Sequence, residues 1–282
     1  MSKIAEILGQ STAKQGVRWT EQLQEGACPF LQRPCIKTRK SDSTVVIGTC
    51  TVRWSAANKP LVICPHRMLE QKKIFLDSIH LLPRHQPGND LFLVSEFSVP
   101  GGSIDYVIVS ANRGNPVDFA GIEIQTLDTT GTVWPERQRF LVSRGELEVN
   151  ADSSSTRPFG INWKMSAKTI LVQLLHKVTT FEHLQKNLIL VLQDDLLSYM
   201  ESEFSFGHLS SPALSAEALH FHSYEMLDAG MSLSLQLKRR LSTDQPGMAQ
   251  ALGLQAEARV ELENILAALK NKLPQATQLN PF

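Results

Sequence analysis

Three polar side chains in the middle of the chain have the types and spacing to hold a divalent cation. Asp105 begins a short apolar run, and Glu123 and Gln125 lie two residues apart in a later one. Alternate side chains of a strand share a face, so Glu123 and Gln125 project together. If Asp105 begins an adjacent strand, its carboxylate meets that of Glu123, and the two repel unless a cation lies between them. Hard oxygen ligands suit Mg²⁺, so these residues predict metal-assisted hydrolysis of a phosphodiester.

A second candidate site is a cluster of the four cysteines, Cys28, Cys35, Cys50 and Cys64, in the pattern C-x6-C-x14-C-x13-C. In a reducing compartment such clustered thiolates favour a tetrahedral metal site over disulfides. Sulfur ligands admit zinc or iron, and the spacing does not choose between them. Two alternatives stay open: four small buried core residues, or a ligand set that includes His66.

The elements that must position these residues are mostly strands. Residues 91–97, 104–109 and 119–127 are apolar runs separated by a Pro-Gly-Gly turn and by an Asn-rich loop, which predicts neighbouring strands. Residues 44–54 and 60–64 are β-rich and surround the cysteines. We expect a small β element there that is stabilised by a bound metal ion.

A helix is predicted after the last of the central runs. Residues 169–182 place apolar side chains at i, i+1, i+4, i+5 and i+8, the pattern of an amphipathic helix on a sheet, with Ser166 as a candidate N-cap. Gln173 and Lys177 share a face of this helix, and one of them could serve the scissile phosphate unless that face is only solvated. The near-continuous apolar run at 187–193 predicts a central strand.

Composition and charge limit the function classes. The 282 residues carry 28 basic and 28 acidic side chains, and 42% are apolar, which is typical of a globular protein. The zero net charge argues against coating nucleic acid by bulk charge. However, residues 1–90 carry +6 and residues 181–282 carry −5, an asymmetry that permits a local basic face. No run can span a bilayer and no signal peptide is evident, so we expect a cytoplasmic bacterial protein.

The C-terminal third contains less information. His220, His222 and Tyr224 alternate, which predicts a half-buried strand with a polar side, with metal binding by the histidines as the less favoured alternative. Residues 248–273 are rich in Ala, Leu and Glu and predict a helix that could pack in a dimer.

The central residues and the cysteines together resemble a known family. The pattern Gly102-Ser-Ile-Asp105 … Glu123-Ile-Gln125 resembles the PD-(D/E)xK nuclease motif, with Gln in the usual place of Lys. With the four cysteines upstream, the chain resembles the NotI-type restriction endonucleases, including their shorter EagI-like members. The stretches that carry this resemblance are residues 28–40, 47–50 and 121–131, and it extends over roughly residues 25–200.

The resemblance implies an activity and a set of roles. It implies Mg²⁺-dependent cleavage of both strands of a GC-rich palindrome by a homodimer, and a structural iron in the four-cysteine site. Asp105 and Glu123 would be the Mg²⁺ ligands, and Gln125 would orient water or the scissile phosphate. Glu96 would be an additional acid, although its local pattern also fits a strand end. Without a lysine at position 125, another group must handle the proton.

The resemblance also implies a fold class and a division of the chain. We expect an α/β protein with a PD-(D/E)xK restriction-endonuclease-like core, a mixed central sheet flanked by helices, and a small N-terminal four-cysteine metal-binding β element. The expected units are an N-terminal helical segment (1–25), the metal-binding element with a basic loop (26–70), the catalytic core (71–205) and a DNA-contacting or dimerisation region (206–282).

The partner that these features predict is double-stranded DNA. The candidate DNA-binding residues are Arg33, Lys37, Arg39, Lys40, Lys164 and Lys168. Guanine edges could be read by an arginine such as Arg33, Arg39, Arg113 or Arg137. Two other hypotheses stay open: a non-enzymatic, metal-pinned DNA-binding protein, and a non-specific PD-(D/E)xK repair nuclease. The basic loop can also be an ordinary solvated surface loop.

Overall fold

The computed structural model describes residues 2–254 and 262–275. In chain order the strands are β1 (Ile4–Ile7), β2 (Gln10–Ser11), β3 (Ala27–Cys28), β4 (Arg33–Pro34), β5 (Thr38–Arg39), β6 (Asp42–Val46), β7 (Thr49–Trp54), β8 (Lys59–Val62), β9 (Asp90–Val99), β10 (Gly102–Asn112), β11 (Asn115–Gln125), β12 (Thr129–Thr130), β13 (Gly160–Ile161), β14 (Asn187–Gln193), β15 (Leu219–Asp228) and β16 (Leu233–Thr243).

The helices are α1 (Trp19–Glu25), α2 (Lys73–Leu76), α3 (Trp134–Ser143), α4 (Trp163–His183), α5 (Asp194–Glu203), α6 (Gln245–Ala251) and α7 (Leu262–Lys272), with 3₁₀ segments at Pro65–Lys72, Ile79–Leu81 and Leu273–Gln275. The helix predicted over residues 248–273 corresponds to the end of α6 and to α7, and its residues 255–261 lie outside the described ones. Within the described part of the chain, every helix is too short or too polar to cross a membrane.

A six-stranded mixed sheet forms the centre of the molecule, in the order β16-β15-β14-β11-β10-β9. β14 is parallel to both β11 and β15, and the outer pairs are antiparallel. β14 is buried along its whole length, as expected for an apolar strand that is covered on both faces. The predicted mixed α/β fold, with a central mixed sheet and flanking helices, is confirmed.

Apolar side chains cover both faces of this sheet, and neighbouring residues of β14 enter different clusters. Leu190 packs in one cluster with Leu171 of α4, while Ile189 packs in the other with Met68 and Ile74. This is the alternation that a strand imposes on its side chains. α4 therefore covers one face of the sheet, and the 3₁₀ segment before α2 covers the other together with α2.

The helix α4 begins earlier than predicted. Asn162 caps it by accepting a 3.4 Å hydrogen bond from the backbone N–H of Met165. The predicted cap, Ser166, lies one turn inside the helix, where its hydroxyl accepts the backbone N–H of Asp128 at 3.0 Å. Because Ser166 is engaged with a distant loop, the capping role passes to Asn162, and the helix begins at Trp163.

The N-terminal segment differs from the expected helix. Residues 1–25 contain β1 and β2 before α1, and these strands join β7 and β8 in an antiparallel sheet of order β2-β1-β7-β8. All four residues of β1 are buried. A strand between two neighbours allows this, whereas an amphipathic surface helix leaves one face in solvent. Glu6 of β1 forms a buried 2.8 Å ion pair with Arg67, which joins this sheet to the rest of the molecule.

Strand β9 forms one edge of the central sheet, where it pairs with β10. Nine of its ten residues are exposed. The exposed residues include large apolar side chains on both faces, among them Phe92 (51%), Leu93 (44%) and Phe97 (49%). Long apolar edge strands of this kind are ready to pair with another strand.

Candidate active site

Asp105 lies where β10 and β11 stop pairing. The antiparallel register ends at the pair Tyr106 and Ile122. One residue further along, the Asp105 carboxylate accepts a 2.8 Å hydrogen bond from the backbone N–H of Ile124. In a continuing strand pair, a backbone carbonyl of the partner strand would accept this N–H. This hydrogen bond fixes the position of the carboxylate. Because Asp105 is exposed, its carboxylate is still accessible to a ligand at this end of the sheet.

Glu123 lies on the neighbouring strand and is only 4% exposed. Its Oε1 accepts a 2.7 Å hydrogen bond from Lys177 Nζ. Burial raises the pKa of the Glu123 carboxyl to about 7, against the opposing effect of Lys177, and the negative charge of Asp105 adds to the increase. The carboxylates of Asp105 and Glu123 are therefore close enough to interact.

Lys177 reaches the sheet from α4. Its side chain is 7% exposed, and its Nζ also donates to the carbonyl of Ser103 at 2.7 Å. It lies three residues after Leu174 and four before Phe181, both of which are buried. Helical spacing therefore contained a signal for this burial. Gln173, predicted to share a face with Lys177, is exposed, so the two residues have different environments.

A glycine turn allows α4 to approach β10 this closely. Gly101 and Gly102 connect β9 to β10 with φ of +97° and +135°, conformations that favour glycine. A Cβ on Gly101 would lie 3.0 Å from the carbonyl oxygen of His176, and one on Gly102 would lie 3.3 Å from Lys177 Cε. The turn thus holds the helix against the start of β10, where Asp105 lies.

The two remaining predicted site residues occupy different places. Gln125 follows Glu123 in β11, and its side-chain amide donates to the carbonyl of Thr126 at 2.6 Å. Glu96 lies in β9 at the level of Asp105, is exposed and has a φ of +53°. The structure thus brings Glu96 beside Asp105, while Gln125 is turned towards its own backbone.

A cavity of about 500 Å³ opens beside Asp105. Glu96 and Asp105 line it from the sheet, and Arg33 and His66 line it from the cysteine-containing part of the chain. Burial lowers the pKa of His66, and the positive charges of Lys37 and Arg33 lower it further. Sequence reasoning considered His66 only as a metal ligand, because no local pattern links it to the strand that carries Asp105.

The basic loop, residues 33–40, borders this cavity and a larger one. Lys37, Arg39 and Lys40 line a cavity of about 970 Å³, while Arg33 belongs to the smaller one. Arg39 also pairs with Asp152 at 3.1 Å. The four predicted basic residues of this loop therefore lie around two neighbouring openings.

The other predicted basic residues have mixed environments. Lys164 and Lys168 are exposed near the start of α4. Arg113 lies in the turn between β10 and β11, at the end of this hairpin that is remote from Asp105. The suggestion that Arg137 could read a guanine was wrong. Arg137 is 4% exposed and donates to two backbone carbonyls at the end of β6 and just after it, so α3 holds it inside the protein.

The four cysteines are free thiols whose sulfur atoms act on one another. A hydrogen bond from Cys50 lowers the pKa of Cys64 to about 6 despite burial, with help from the charge of Lys37. Burial raises the pKa of Cys35, and the charges of Cys28 and Cys64 add to the effect. These mutual influences place all four sulfur atoms in one neighbourhood.

Among residues 2–254 and 262–275, no group of three or more His, Cys, Asp or Glu side chains is arranged as a metal-ion site. The structure thus brings the four thiols together without showing the predicted four-cysteine metal site. The acids Asp105, Glu123 and Glu96 likewise do not form a metal-ion site of three or more ligands among the described residues. His220 and His222 are fully buried rather than half-buried, because β15 lies inside the sheet and is covered on both faces.

Comparison with known protein families identifies the class to which this fold and site belong: the protein is a site-specific deoxyribonuclease. The matching family is described as restriction endonuclease NotI, and its model covers residues 11–219. This is well over half of the chain, so the chain belongs to the NotI restriction endonuclease family, and it is a type II restriction endonuclease that cleaves DNA at a specific site. A comparison with curated proteins found no match.

Proposed function

We propose that this enzyme uses Mg²⁺, held by Asp105 and Glu123, to hydrolyse both strands of a short GC-rich palindromic DNA site. The observation that carries the proposal is the pair of interacting carboxylates near the start of β10 and the end of β11, with Asp105 lining an open cavity. In this scheme residues 26–70 are a metal-binding element and the PD-(D/E)xK catalytic core begins at residue 71. The expected division at residue 205 would cut through the central sheet, because β15 and β16 are two of its six strands, so the core continues to residue 243.

The donor groups fit Mg²⁺. Magnesium is commonly held by one or two carboxylates, with waters and phosphate oxygens as its other ligands, so a site of only two acids is sufficient. Asp105 is exposed, and the raised pKa of Glu123 reflects a carboxylate that lacks full compensation for its burial. When bound, Mg²⁺ activates water and neutralises the charge that develops on the phosphate.

The protein's own residues supply the positioning. The Ile124 N–H holds the Asp105 carboxylate in one orientation. Gln125 orients water or the scissile phosphate after its side-chain amide leaves the Thr126 carbonyl. Glu96, at the level of Asp105, is the additional acid of the site.

The basic residues define a path for DNA. Arg33 lies at the cavity beside Asp105, and Lys37, Arg39 and Lys40 surround the larger opening. Lysine and arginine both contact phosphates, and the planar fork of arginine can also bind the O6 and N7 of guanine together. The arginines of this loop therefore support the proposal that the recognised DNA sequence is GC-rich. The exposed Lys164 and Lys168 would extend the contacts with DNA phosphates.

One cleavage assay tests the proposed function. The purified protein is incubated with phage DNA or a GC-rich plasmid, with Mg²⁺ or with a chelator. Discrete fragments that require Mg²⁺ are expected, and their map gives the recognition sequence. A smear would instead indicate a non-specific nuclease, and intact DNA that is retarded in a gel would indicate a DNA-binding protein without catalysis.

The cysteine cluster is proposed to hold a structural iron or zinc ion. Its donors fit, since soft thiolates suit either metal, and the lowered pKa of Cys64 favours the thiolate that ligation requires. Iron is the metal that the family resemblance implies. The cluster lies beside the basic loop, because Lys37 Nζ donates to the carbonyl of Ile63 at 2.8 Å. The metal would therefore fix the loop that approaches DNA.

Cys50→Ser is expected to lose the bound metal and to lower the free energy of unfolding by several kcal/mol, because metal binding is coupled to folding. Elemental analysis of the purified protein should find one iron or zinc per native chain and none in the variant. Visible absorption then separates iron from zinc. A native protein that contains neither metal would contradict this proposal.

The exposed edge of β9 is proposed as the homodimer interface. Two copies of an edge strand can pair antiparallel about a two-fold axis, which satisfies their free backbone groups and buries apolar side chains such as Phe92 and Phe97. A two-fold axis also matches a palindrome. Glu96 belongs to the same strand, so the interface would adjoin the active site.

Phe92→Asp is expected to convert the dimer to a monomer, because it places a charge in the apolar edge. Sedimentation equilibrium at micromolar concentration measures the mass. The matched control is Val149→Asp, which changes an even more exposed apolar side chain (73%) outside the sheet edge and should leave the dimer intact. A dimer that persists in Phe92→Asp would rule out the β9 edge and direct attention to the exposed apolar residues of α7.

A further inference from the structure

The active site lacks a lysine at position 125 of β11, yet it contains a lysine ammonium group. We propose that Lys177, presented by α4, is the catalytic lysine of this enzyme and contacts the scissile phosphate. This inference rests on the proposed function, because it requires that Asp105 and Glu123 form the active site.

The position of the ammonium group supports this role. Lys177 Nζ lies 2.7 Å from Glu123 Oε1 and 2.7 Å from the carbonyl oxygen of Ser103, two residues before Asp105. An ammonium group has three N–H donors, and these contacts use two of them. The third is available for an oxygen of a phosphate bound at the Asp105 and Glu123 carboxylates.

The fold brings this lysine to the sheet at a cost. Its side chain is buried, although lysine is rarely buried without a partner. Glycines at positions 101 and 102 favour this approach, since a Cβ on Gly102 would lie 3.3 Å from Lys177 Cε and would displace it by a few tenths of an ångström. A buried ion pair seldom adds net stability compared with apolar residues of similar volume, so stability alone does not explain the arrangement.

The role that fits is electrostatic. During hydrolysis the water oxygen forms a new P–O bond and loses a proton, and the ester P–O bond breaks as the leaving oxygen gains one. Lys177 takes no part in this proton balance. Its fixed positive charge stabilises the negative charge that accumulates on the phosphate oxygens in the transition state.

Three variants test the inference on a duplex that carries the mapped recognition site. Lys177→Met should reduce the single-turnover cleavage rate by about 10²–10³-fold. The double variant Lys177→Met/Gln125→Lys places a lysine on β11. Its cleavage rate should be at least about tenfold higher than that of Lys177→Met. Lys177→Arg keeps the charge and the pairing with Glu123 but places the charge differently, so it should fold normally and still cleave at least about tenfold more slowly.

Two measurements separate chemistry from folding. DNA binding in Ca²⁺, followed by fluorescence anisotropy, should change by less than about threefold in Lys177→Arg, and its thermal unfolding should match that of the native protein. The matched control is His176→Met, which changes the preceding residue of α4 and should leave the rate unchanged.

The possible failures are distinguishable. If Lys177→Arg and a folded Lys177→Met both cleave at the native rate while Asp105→Asn is inactive, the inference is overturned and the proposed function stands. If Lys177→Met does not fold, native-rate cleavage by Lys177→Arg overturns it, and slow cleavage with normal DNA binding supports it. If Asp105→Asn still cleaves, the proposed active site itself is wrong.

Discussion

Asp105→Asn and Glu123→Gln are each expected to reduce the rate of DNA cleavage by about 10³-fold or more, while the protein stays folded. Each change keeps the shape of the side chain and removes the negative charge that the proposed Mg²⁺ site requires. The structural consequences should be small. In Asp105→Asn the new side chain can still accept the Ile124 N–H, because its amide oxygen can replace the carboxylate Oδ2.

The two variants should also differ in stability, because the two carboxylates have different environments. Glu123 is buried next to a second negative charge, which raises its pKa, so its neutralisation removes repulsion as well as the ion pair with Lys177. Asp105 is exposed, so its neutralisation should hardly change stability. Single-turnover cleavage and thermal unfolding, measured on the same preparations, test both expectations.

The matched control for these variants is Asp128→Asn, which neutralises an exposed acid just after β11. Its rate should stay within about twofold of the native rate, since no role in metal binding is assigned to it. Native-rate cleavage by either Asp105→Asn or Glu123→Gln would remove both residues from the proposed pair. The endonuclease would then have to use another acid, and Glu96 would be the first one to replace.

The strands around this site could be predicted because their signals are local. Apolar runs, the Pro-Gly-Gly turn and the Asn-rich loop identify β9, β10 and β11 without reference to the rest of the chain. The alternation of strand side chains then places Glu123 on one face, and the hairpin places Asp105 on the adjacent strand. Asp105 and Glu123 could be proposed as a pair from the sequence for this reason.

Contacts between distant segments could not be predicted in the same way. Lys177 was recognised as a helical lysine, but its meeting with Glu123 depends on how α4 packs on the sheet. His66 reaches the cavity beside Asp105 because the 3₁₀ segment Pro65–Lys72 packs on the central sheet. Arg137 was one of the arginines that could bind guanine, but the packing of α3 buries it. Each of these environments is set by tertiary structure, which local patterns do not contain.

The histidines of β15 illustrate the same limit and have a measurable consequence. Their alternation predicted a polar strand side, yet His220 is 1% exposed and His222 is 0% exposed. His80 stacks on His222 with ring centroids 5.8 Å apart, and Ser78 Oγ lies 3.4 Å from His222 Nδ1. The positive charge of Arg240 acts on His80, His220 and His222. Burial lowers the pKa of His220 to about 4, and it lowers that of His222 to about 2.

The free energy of unfolding is therefore expected to fall by about 3–4 kcal/mol between pH 7 and pH 5 on account of these two histidines. In the unfolded chain a histidine has a pKa of about 6.5, so below this pH the unfolded state binds protons that the folded state does not. Their contribution is fully present above about pH 6.5 and is lost as the pH falls towards the folded-state values. Urea unfolding at closely spaced pH values measures this slope.

Variants of the two histidines isolate their part of the slope. His220→Leu and His222→Leu should each remove about half of this pH-dependent loss, and the double variant should remove nearly all of it, because leucine does not titrate. Glu123 and the other histidines titrate in both proteins, and acids with ordinary pKa values change charge mainly below about pH 5. The difference between the native and double-variant curves therefore reports on this pair. A double variant with the full native slope would show that the acid sensitivity arises elsewhere, and that His220 and His222 gain protons without unfolding the sheet.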